Sequence, residues 1–370
     1  MRLALVCSWL NQYGGAERVL EAVHEIWPEA PLYTSIYDPG ALPPHFRSWD
    51  IRPTWMNRLP AVSRRSRLYL PLYPLAFDTL HLEGFDAVVS ISSGFATGAR
   101  CRSAPHIAYC LTPPRFLWGF QDYLTREGMA KWQRVGVRAL IPLLRQWDLQ
   151  GARRVSHFIA IAGEVQRRIR AIYGREAPII YPPVDTDRFR PGSHMDDYLL
   201  VVGRLVPYRR MDLAVRACSE LGLPLKVVGE GRARPQLEAL AGPTVEFLGW
   251  LPDEEVTKLV QGCRALVWPG LEDFGIAPVE AQAAGRPVVA YAGGGSLETI
   301  VDGETGILFS EQSVESLSAA LRRLDQTAFD PEVLRRSALR FDKAIFQQRL
   351  CQFVERAATE AQRHGEGSRK

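Results

Sequence analysis

Short apolar runs alternate along the first half of the chain with stretches whose apolar residues recur every three or four positions. The runs predict strands at 3–8, 32–36, 87–92, 106–111, 158–162 and 179–181. Between the first two, 14–27 sets Val19, Leu20, Val23 and Ile26 on one face and predicts a helix. A second helix is predicted at 164–173. The pattern breaks at Pro182-Pro183 and at Pro191-Gly192-Ser193, a short polar linker. It then restarts, with strands predicted at 199–202, 225–228, 245–248, 265–268 and 287–291 and helices at 211–221 and 234–240. The stretch 334–363 reads as helical without a strand, and 364–370 as a frayed end. Strands alternating with helices imply parallel sheets covered on both faces.

Length and composition fit that picture. The chain of 370 residues suits two domains better than one core. At 46% hydrophobic and 23% charged residues it has an ordinary globular composition. The fold class expected is α/β, with two Rossmann-like domains facing across a cleft, the first over 1–190 and the second over 191–345. The six cysteines are scattered without zinc or disulfide spacing, which points to a reducing cytoplasm. The first ten residues are apolar but lead directly into a glycine turn and a helix, unlike a signal peptide. No run approaches the roughly 20 apolar residues needed to span a bilayer.

The net charge of +4 hides an asymmetry. Residues 1–190 carry 24 basic and 16 acidic side chains, and residues 191–370 carry 21 and 25. A basic first half suggests an anionic partner, a membrane surface or a phosphorylated acceptor. No nucleic-acid motif occurs, so nucleic acid is not expected as a partner. Segment 60–77 combines Arg64, Arg65 and Arg67 with Tyr, Leu and Phe, which suits peripheral contact with an anionic membrane. It equally suits a helix packed on its own domain.

Candidate chemistry concentrates in the second half. Glu272 and Glu280 stand eight positions apart across a Gly–Pro hinge, after the apolar run 264–268 and before 281–285, which reads as a helix ending at a glycine. This places Glu272 in a loop and Glu280 in a first helical turn, where Pro278 is tolerated. The amides of Phe274, Gly275 and Ile276 then face the same space as both carboxylates. Acceptors for hydroxyls beside donors for anions suit a nucleotide-activated sugar, although a plain strand–loop–helix connection with solvated glutamates gives the same spacing. Arg204 and the pair Arg209-Arg210 follow the first strand of this half. Guanidiniums at the carboxyl edge of a parallel sheet match phosphate oxygens, or simply form a solvated helix start. Gly229-Glu230-Gly231 ends another strand, where glycine permits close approach of a ligand or merely a turn. Gly14-Gly15 turns the first strand into the first helix, with amides that could cradle a diphosphate. Asp185-Thr186-Asp187 has the spacing of a divalent-metal pair but sits at the domain boundary, and reads as structural. No Walker, zinc-protease or serine-hydrolase motif occurs. The seven histidines show no triad or ligand spacing.

Four motifs occur in a consistent order: GGAERVL, YPPVDTDRF, VGRLVPYRR and EDFGIAPVEAQAAGRPVVAYAGGG. Together they resemble family 4 of the retaining glycosyltransferases over roughly residues 1–345, and within it the bacterial mannosyltransferases that build surface polysaccharides on lipid carriers. The resemblance implies a GT-B architecture, with an acceptor-binding first domain and a nucleotide-sugar-binding second domain. The C-terminal helix, within 346–370, should pack back on the first domain. Glu280 would accept hydrogen bonds from the ribose diol, and Glu272 with the amides at 274–276 would hold the donor sugar. Arg204 and Arg209 would neutralise the departing diphosphate, and Arg210 and Gly229 would line the same site. Gly15 would approach the diphosphate from the first domain.

The resemblance further implies a hexosyltransferase with GDP-mannose as the expected donor and a lipid-linked or growing saccharide as acceptor. No cofactor or metal is expected, and the setting is the cytoplasm or the cytoplasmic face of the membrane. The chain departs from the family pattern at three places. Leu111 stands where a histidine is usual near the donor sugar, Ala160-Ile161-Ala162 replaces A-N-S, and Arg209 replaces lysine. Leu111 removes a polar contact, which implies either a less polar donor such as a deoxysugar or weakened turnover. A catalytically weak nucleotide-sugar-binding homologue and a sugar-nucleotide epimerase on the same architecture are the alternatives.

Overall fold

The computed structural model describes residues 1–119, 131–192 and 194–367. Ser193 of the expected linker and the last three residues of the expected frayed end, 368–370, lie outside the described residues. The chain divides into two compact units, Met1–Tyr181 with the chain from Phe346 onward, and Pro182–Ile345.

The first unit is built on six parallel strands: Leu3–Cys7 (β1), Leu32–Thr34 (β2), Ile51–Pro53 (β3), Ala87–Ser92 (β4), His106–Cys110 (β5) and His157–Ala160 (β6). Their order across the sheet is β3-β2-β1-β4-β5-β6. Leu5 of β1 lies between Leu32 and Val89. All residues of β1, β4 and β5 are buried, which is why these segments read as continuous apolar runs. The buried hydroxyl of Ser90 pairs with His106 Nε2 at 2.9 Å. Burial holds the His106 ring neutral, its pKa lowered to about 4. Helix Gly15–Ile26 (α1) buries Val19, Leu20 and Val23, as its periodicity requires.

The strand expected at 179–181 does not form. Only Ile179 makes an isolated bridge, to Ala160. Pro178, Pro182 and Pro183 crowd the segment with residues that cannot donate to a ladder. The helix Lys131–Arg154 and strand β3 carried no clear period and had not been expected. Chain from the far end completes this unit. Within helix Lys343–Gly367, Gln347 Nε2 donates to Ala22 O at 3.0 Å and to Glu25 Oε2 at 2.8 Å. Phe346 packs edge-on against Tyr109, and Leu350 and Val354 are fully buried. The expected return of the C-terminal helix is therefore present.

The second unit repeats the design with strands Leu199–Val202 (β7), Leu225–Val228 (β8), Val245–Gly249 (β9), Ala265–Trp268 (β10), Val288–Tyr291 (β11) and Gly306–Phe309 (β12). Their order is β9-β8-β7-β10-β11-β12, all parallel. Both sheets thus run outward in two directions from their first strand, the Rossmann order with a switch point between the first and fourth strands. Strand β12, four residues on the sheet edge, escaped the periodicity reading.

Helix Met211–Leu221 buries Met211, Leu213, Ala214, Val215, Ala217 and Cys218 and stops at Gly222, φ +68°. The long helical stretch expected after 334 is two helices, Pro331–Leu339 and Lys343–Gly367. Between them Val184 N bonds Phe341 O and Lys343 N bonds Val184 O, so the backbone is drawn out of the helix by a bridge. Two parallel six-stranded α/β sheets confirm the expected fold class.

Candidate functional site

In the second unit the switch point lies between the carboxyl ends of β7 and β10, where Gly203 and Pro269-Gly270 emerge. Arg209 crosses this point. A Cβ on Gly203, whose φ is +140°, would sit 2.1 Å from Arg209 Nη1. A Cβ on Gly270 would lie 2.7 Å from Arg209 O. Both glycines make room for one arginine, its backbone on one side and its guanidinium on the other. Gly229, φ +129°, plays a related part, because its Cβ would meet Gly203 O at 2.1 Å. Its close approach is to the neighbouring strand end.

Arg209 Nε donates to Glu272 Oε1 at 2.8 Å, and the two side chains are only 18% and 15% exposed. Burial works against the charge on Arg209, but the Glu272 carboxylate and Tyr208 more than offset it, and its pKa is raised. The guanidinium also lies over the Trp268 ring, 5.3 Å from its centroid. Sequence reasoning named Arg209 and Glu272 separately and did not join them. It missed Trp268, read only as the end of a buried strand, and Tyr208.

The loop carrying Glu272 is held from behind. Gly295 N donates to Glu272 O at 3.0 Å. A Cβ on Gly294 would lie 2.1 Å from Glu272 O, and one on Gly295 2.3 Å from Phe274 Cα. The Gly293-Gly294-Gly295 run therefore fits flush against 272–274. Phe274 is buried, with its ring edge-on against Phe341. Gly275, φ +87°, turns the chain into helix Ile276–Ala283. Pro278 falls third in that helix, where no intrahelical donor is missed. Glu280 is its fifth residue, just past the first turn where it had been expected, and is 7% exposed.

The other expected residues are placed as follows. Arg204 is exposed beyond the end of β7. Arg210, at φ +52°, bonds Asp212 Oδ1 and Oδ2 at 3.1 and 3.2 Å, which ties it to the start of its own helix. Asp185 accepts from Arg188 N at 3.1 Å and Asp187 from Arg190 Nη2 at 2.6 Å, both local uses.

Gly15 and Leu111 belong to the first unit. Gly15 opens α1, and Leu111 lines a small pocket with Ser8, Trp9, Glu17, Ile91 and Ser93 at that unit's own switch point. Among the described residues, no group of three or more His, Cys, Asp or Glu could hold a metal ion.

Comparison with known proteins gives these features a setting. Residues 184–336 match the family model "Glycosyl transferases group 1". The D-inositol 3-phosphate glycosyltransferase of Nocardia farcinica is 31% identical over 215 residues, 49% of this chain and 47% of that protein. An uncharacterized glycosyltransferase of Methanocaldococcus jannaschii is 26% identical over 172 residues, 45% of this chain and 48% of that protein. The chain thus spans about half the length of the curated relatives it matches. Among solved structures, Anabaena HepE in complex with UDP and glucose superposes with a TM-score of 0.71 at 17% identity, covering 96% of this chain and 99% of that one. The sucrose-phosphate synthase of Thermosynechococcus elongatus gives 0.72 at 17% identity, covering 96% and 99%. The fold of the chain is GT-B, and its residues 184–336 match the glycosyl transferases group 1 family model.

Proposed function

We propose that the protein is a retaining, metal-independent hexosyltransferase that moves a sugar from a nucleoside diphosphate donor onto a lipid-linked or growing saccharide. The observation that carries this reading is the Arg209–Glu272 pair, seated at the switch point of the second sheet. Ligands of open α/β sheets bind at that edge. Arg209 with exposed Arg204 offers the leaving diphosphate the positive charge that a metal supplies elsewhere. Buried Glu280 takes the ribose diol, and Glu272 with the 274–276 backbone holds the sugar.

Breaking the anomeric bond leaves cation-like charge on the sugar and negative charge on the phosphate. Removing one donor to such an anion costs about 3–4 kcal/mol. If the acceptor hydroxyl enters on the face the diphosphate leaves, configuration is retained, and a phosphate oxygen takes the hydroxyl proton. No side chain is then needed as base.

GDP-mannose is the donor that the motif pattern favours. UDP-glucose is the next to try, since HepE was crystallised with it. Thermal shift with GDP, UDP and their hexoses, followed by transfer assays on whichever donor stabilises the protein, tests the reading. Conversion of donor alone into an epimeric nucleotide-sugar would identify an epimerase. Stabilisation without turnover on any acceptor would identify a binding homologue, the reading favoured by apolar Leu111 beside Ser8 and Glu17.

The same reading places the protein in the cytoplasm, peripheral on the membrane face. Leu68 and Leu75 are 71% and 54% exposed beside exposed Arg64 and Arg65. The Arg67 side chain lies outside the described residues. Among the described residues no helix is long and apolar enough to cross a membrane. Salt-sensitive pelleting with anionic vesicles, lost on Arg64→Ala/Arg65→Ala, is the expected result. Pelleting that ignores both salt and the substitutions would remove the membrane face from the account.

A further inference from the structure

Trp268 is the last residue of β10 and is 5% exposed. Its ring face carries the Arg209 guanidinium, 5.3 Å from the centroid. Its other polar feature, Nε1, is buried and finds no acceptor among the described residues. That edge lies beneath the left-handed turn, since a Cβ on Gly275 would come within 3.3 Å of Nε1. One indole therefore touches both halves of the candidate donor site, the arginine through its face and the 274–276 loop through its edge.

A buried aliphatic side chain would fill the same strand end without the unsatisfied N–H, which is an energetic cost. What an aliphatic chain lacks is a π face. A cation over a desolvated indole is held electrostatically as well as sterically. Glu272 engages only Nε of Arg209. The ring thus supports the guanidinium where the carboxylate does not reach.

We propose that Trp268 is a positioning residue, which fixes the Arg209 guanidinium against the 274–276 loop at the spacing a sugar diphosphate requires. The inference rests on the reading of this edge as the donor site. A side chain that merely fills the core would affect all ligands of the unit alike. One that positions Arg209 acts on the outer phosphate in particular.

The test is calorimetric titration of the full chain with GMP and GDP, and with UMP and UDP, for wild type, Arg209→Ala, Trp268→Phe and Trp268→Leu. The wild type is expected to prefer the diphosphate. Trp268→Leu should reduce that preference about tenfold, a loss within the range of cation–π contacts, and Arg209→Ala, which removes the cation itself, should reduce it at least as much. Trp268→Phe keeps a π face and should retain the preference to within about threefold, although losing part of the indole's bulk along with the unpartnered donor should lower the melting temperature somewhat. Trp268→Met replaces the leucine variant if that chain does not fold.

If Arg209→Ala erodes the preference and Trp268→Leu or Trp268→Met leaves it intact, the positioning role is wrong and the donor site stands. A loss in Trp268→Phe as large as in Trp268→Leu would also overturn it, because the face would not be what matters. Failure of the wild type to bind either diphosphate would remove the donor-site reading itself, and this inference with it.

Discussion

Asp148, in helix Lys131–Arg154, offers a sharp test of the energetics. Its side chain is fully buried. Trp118 Nε1 donates to Oδ2 at 2.8 Å, and the Tyr173 hydroxyl donates to the same oxygen at 2.9 Å. Oδ1 has no partner. One turn earlier Arg145 Nε and Nη2 donate to Leu117 O at 2.9 and 2.7 Å. The two residues fasten the short helix Arg115–Trp118 a few residues beyond Leu111.

Burial raises the Asp148 carboxyl from 3.8 to about 6, held back by the bonds from Trp118 and Tyr173. A carboxyl raised in the folded state stabilises fully below its unfolded pKa, and that contribution is lost as pH climbs through the folded one. A shift of about two units corresponds to about 3 kcal/mol. Asp148→Asn keeps an oxygen acceptor for both donors and does not titrate. The assay is urea unfolding of wild type and Asp148→Asn across pH, taking the difference so that other titrations cancel. The variant's stability relative to wild type should rise by about 2.5 kcal/mol between about pH 4 and pH 7.5. A difference that stays flat over this range would refute the assignment of a strained, charge-averse carboxyl at 148.

Three further outcomes are expected. Gly203→Ala forces a side chain into φ +140° and onto Arg209 Nη1; it should cost about 1–3 kcal/mol in unfolding free energy and weaken GDP or UDP binding, so unchanged binding would detach Gly203 from the site. Glu280→Gln should remove the preference for a ribonucleoside diphosphate over its 2′-deoxy analogue, a loss of about 1.5–3 kcal/mol for a charged hydrogen bond; equal preference in both proteins would remove Glu280 from the ribose. Leu111→His should change the ranking in a panel of hexose and deoxyhexose donors, and no change in rate or ranking would leave Leu111 without a part in donor choice.

The sequence was most legible where one physical signal dominated. Strands β7, β8 and β10 coincide with their apolar runs, because both faces of a parallel sheet are covered and all their residues but Val202 and Lys226 are buried. Helix Met211–Leu221 matched to the residue, since its period and its stop at Gly222 agree. Segment 179–181 misled because it is apolar yet flanked by prolines that cannot join a ladder. Edge strands Ile51–Pro53 and Gly306–Phe309 were too short to show a period. In the site, residue types were legible and relations were not. Nothing local in Tyr208-Arg209-Arg210 says that Arg209 turns to Glu272, 63 positions on, while Arg210 turns to Asp212 beside it. Trp268 was invisible for the opposite reason, because an indole closing an apolar strand looks like core.

The central claim is that the switch-point edge of the second sheet holds a nucleoside diphosphate-sugar. A crystal structure of the protein soaked with GDP-mannose or UDP-glucose tests it most directly. The account predicts phosphate oxygens within hydrogen-bond distance of Arg209, the ribose diol on Glu280 and the hexose against the 272–276 loop. A donor bound with its phosphates away from Arg209, and its ribose away from Glu280, would contradict it.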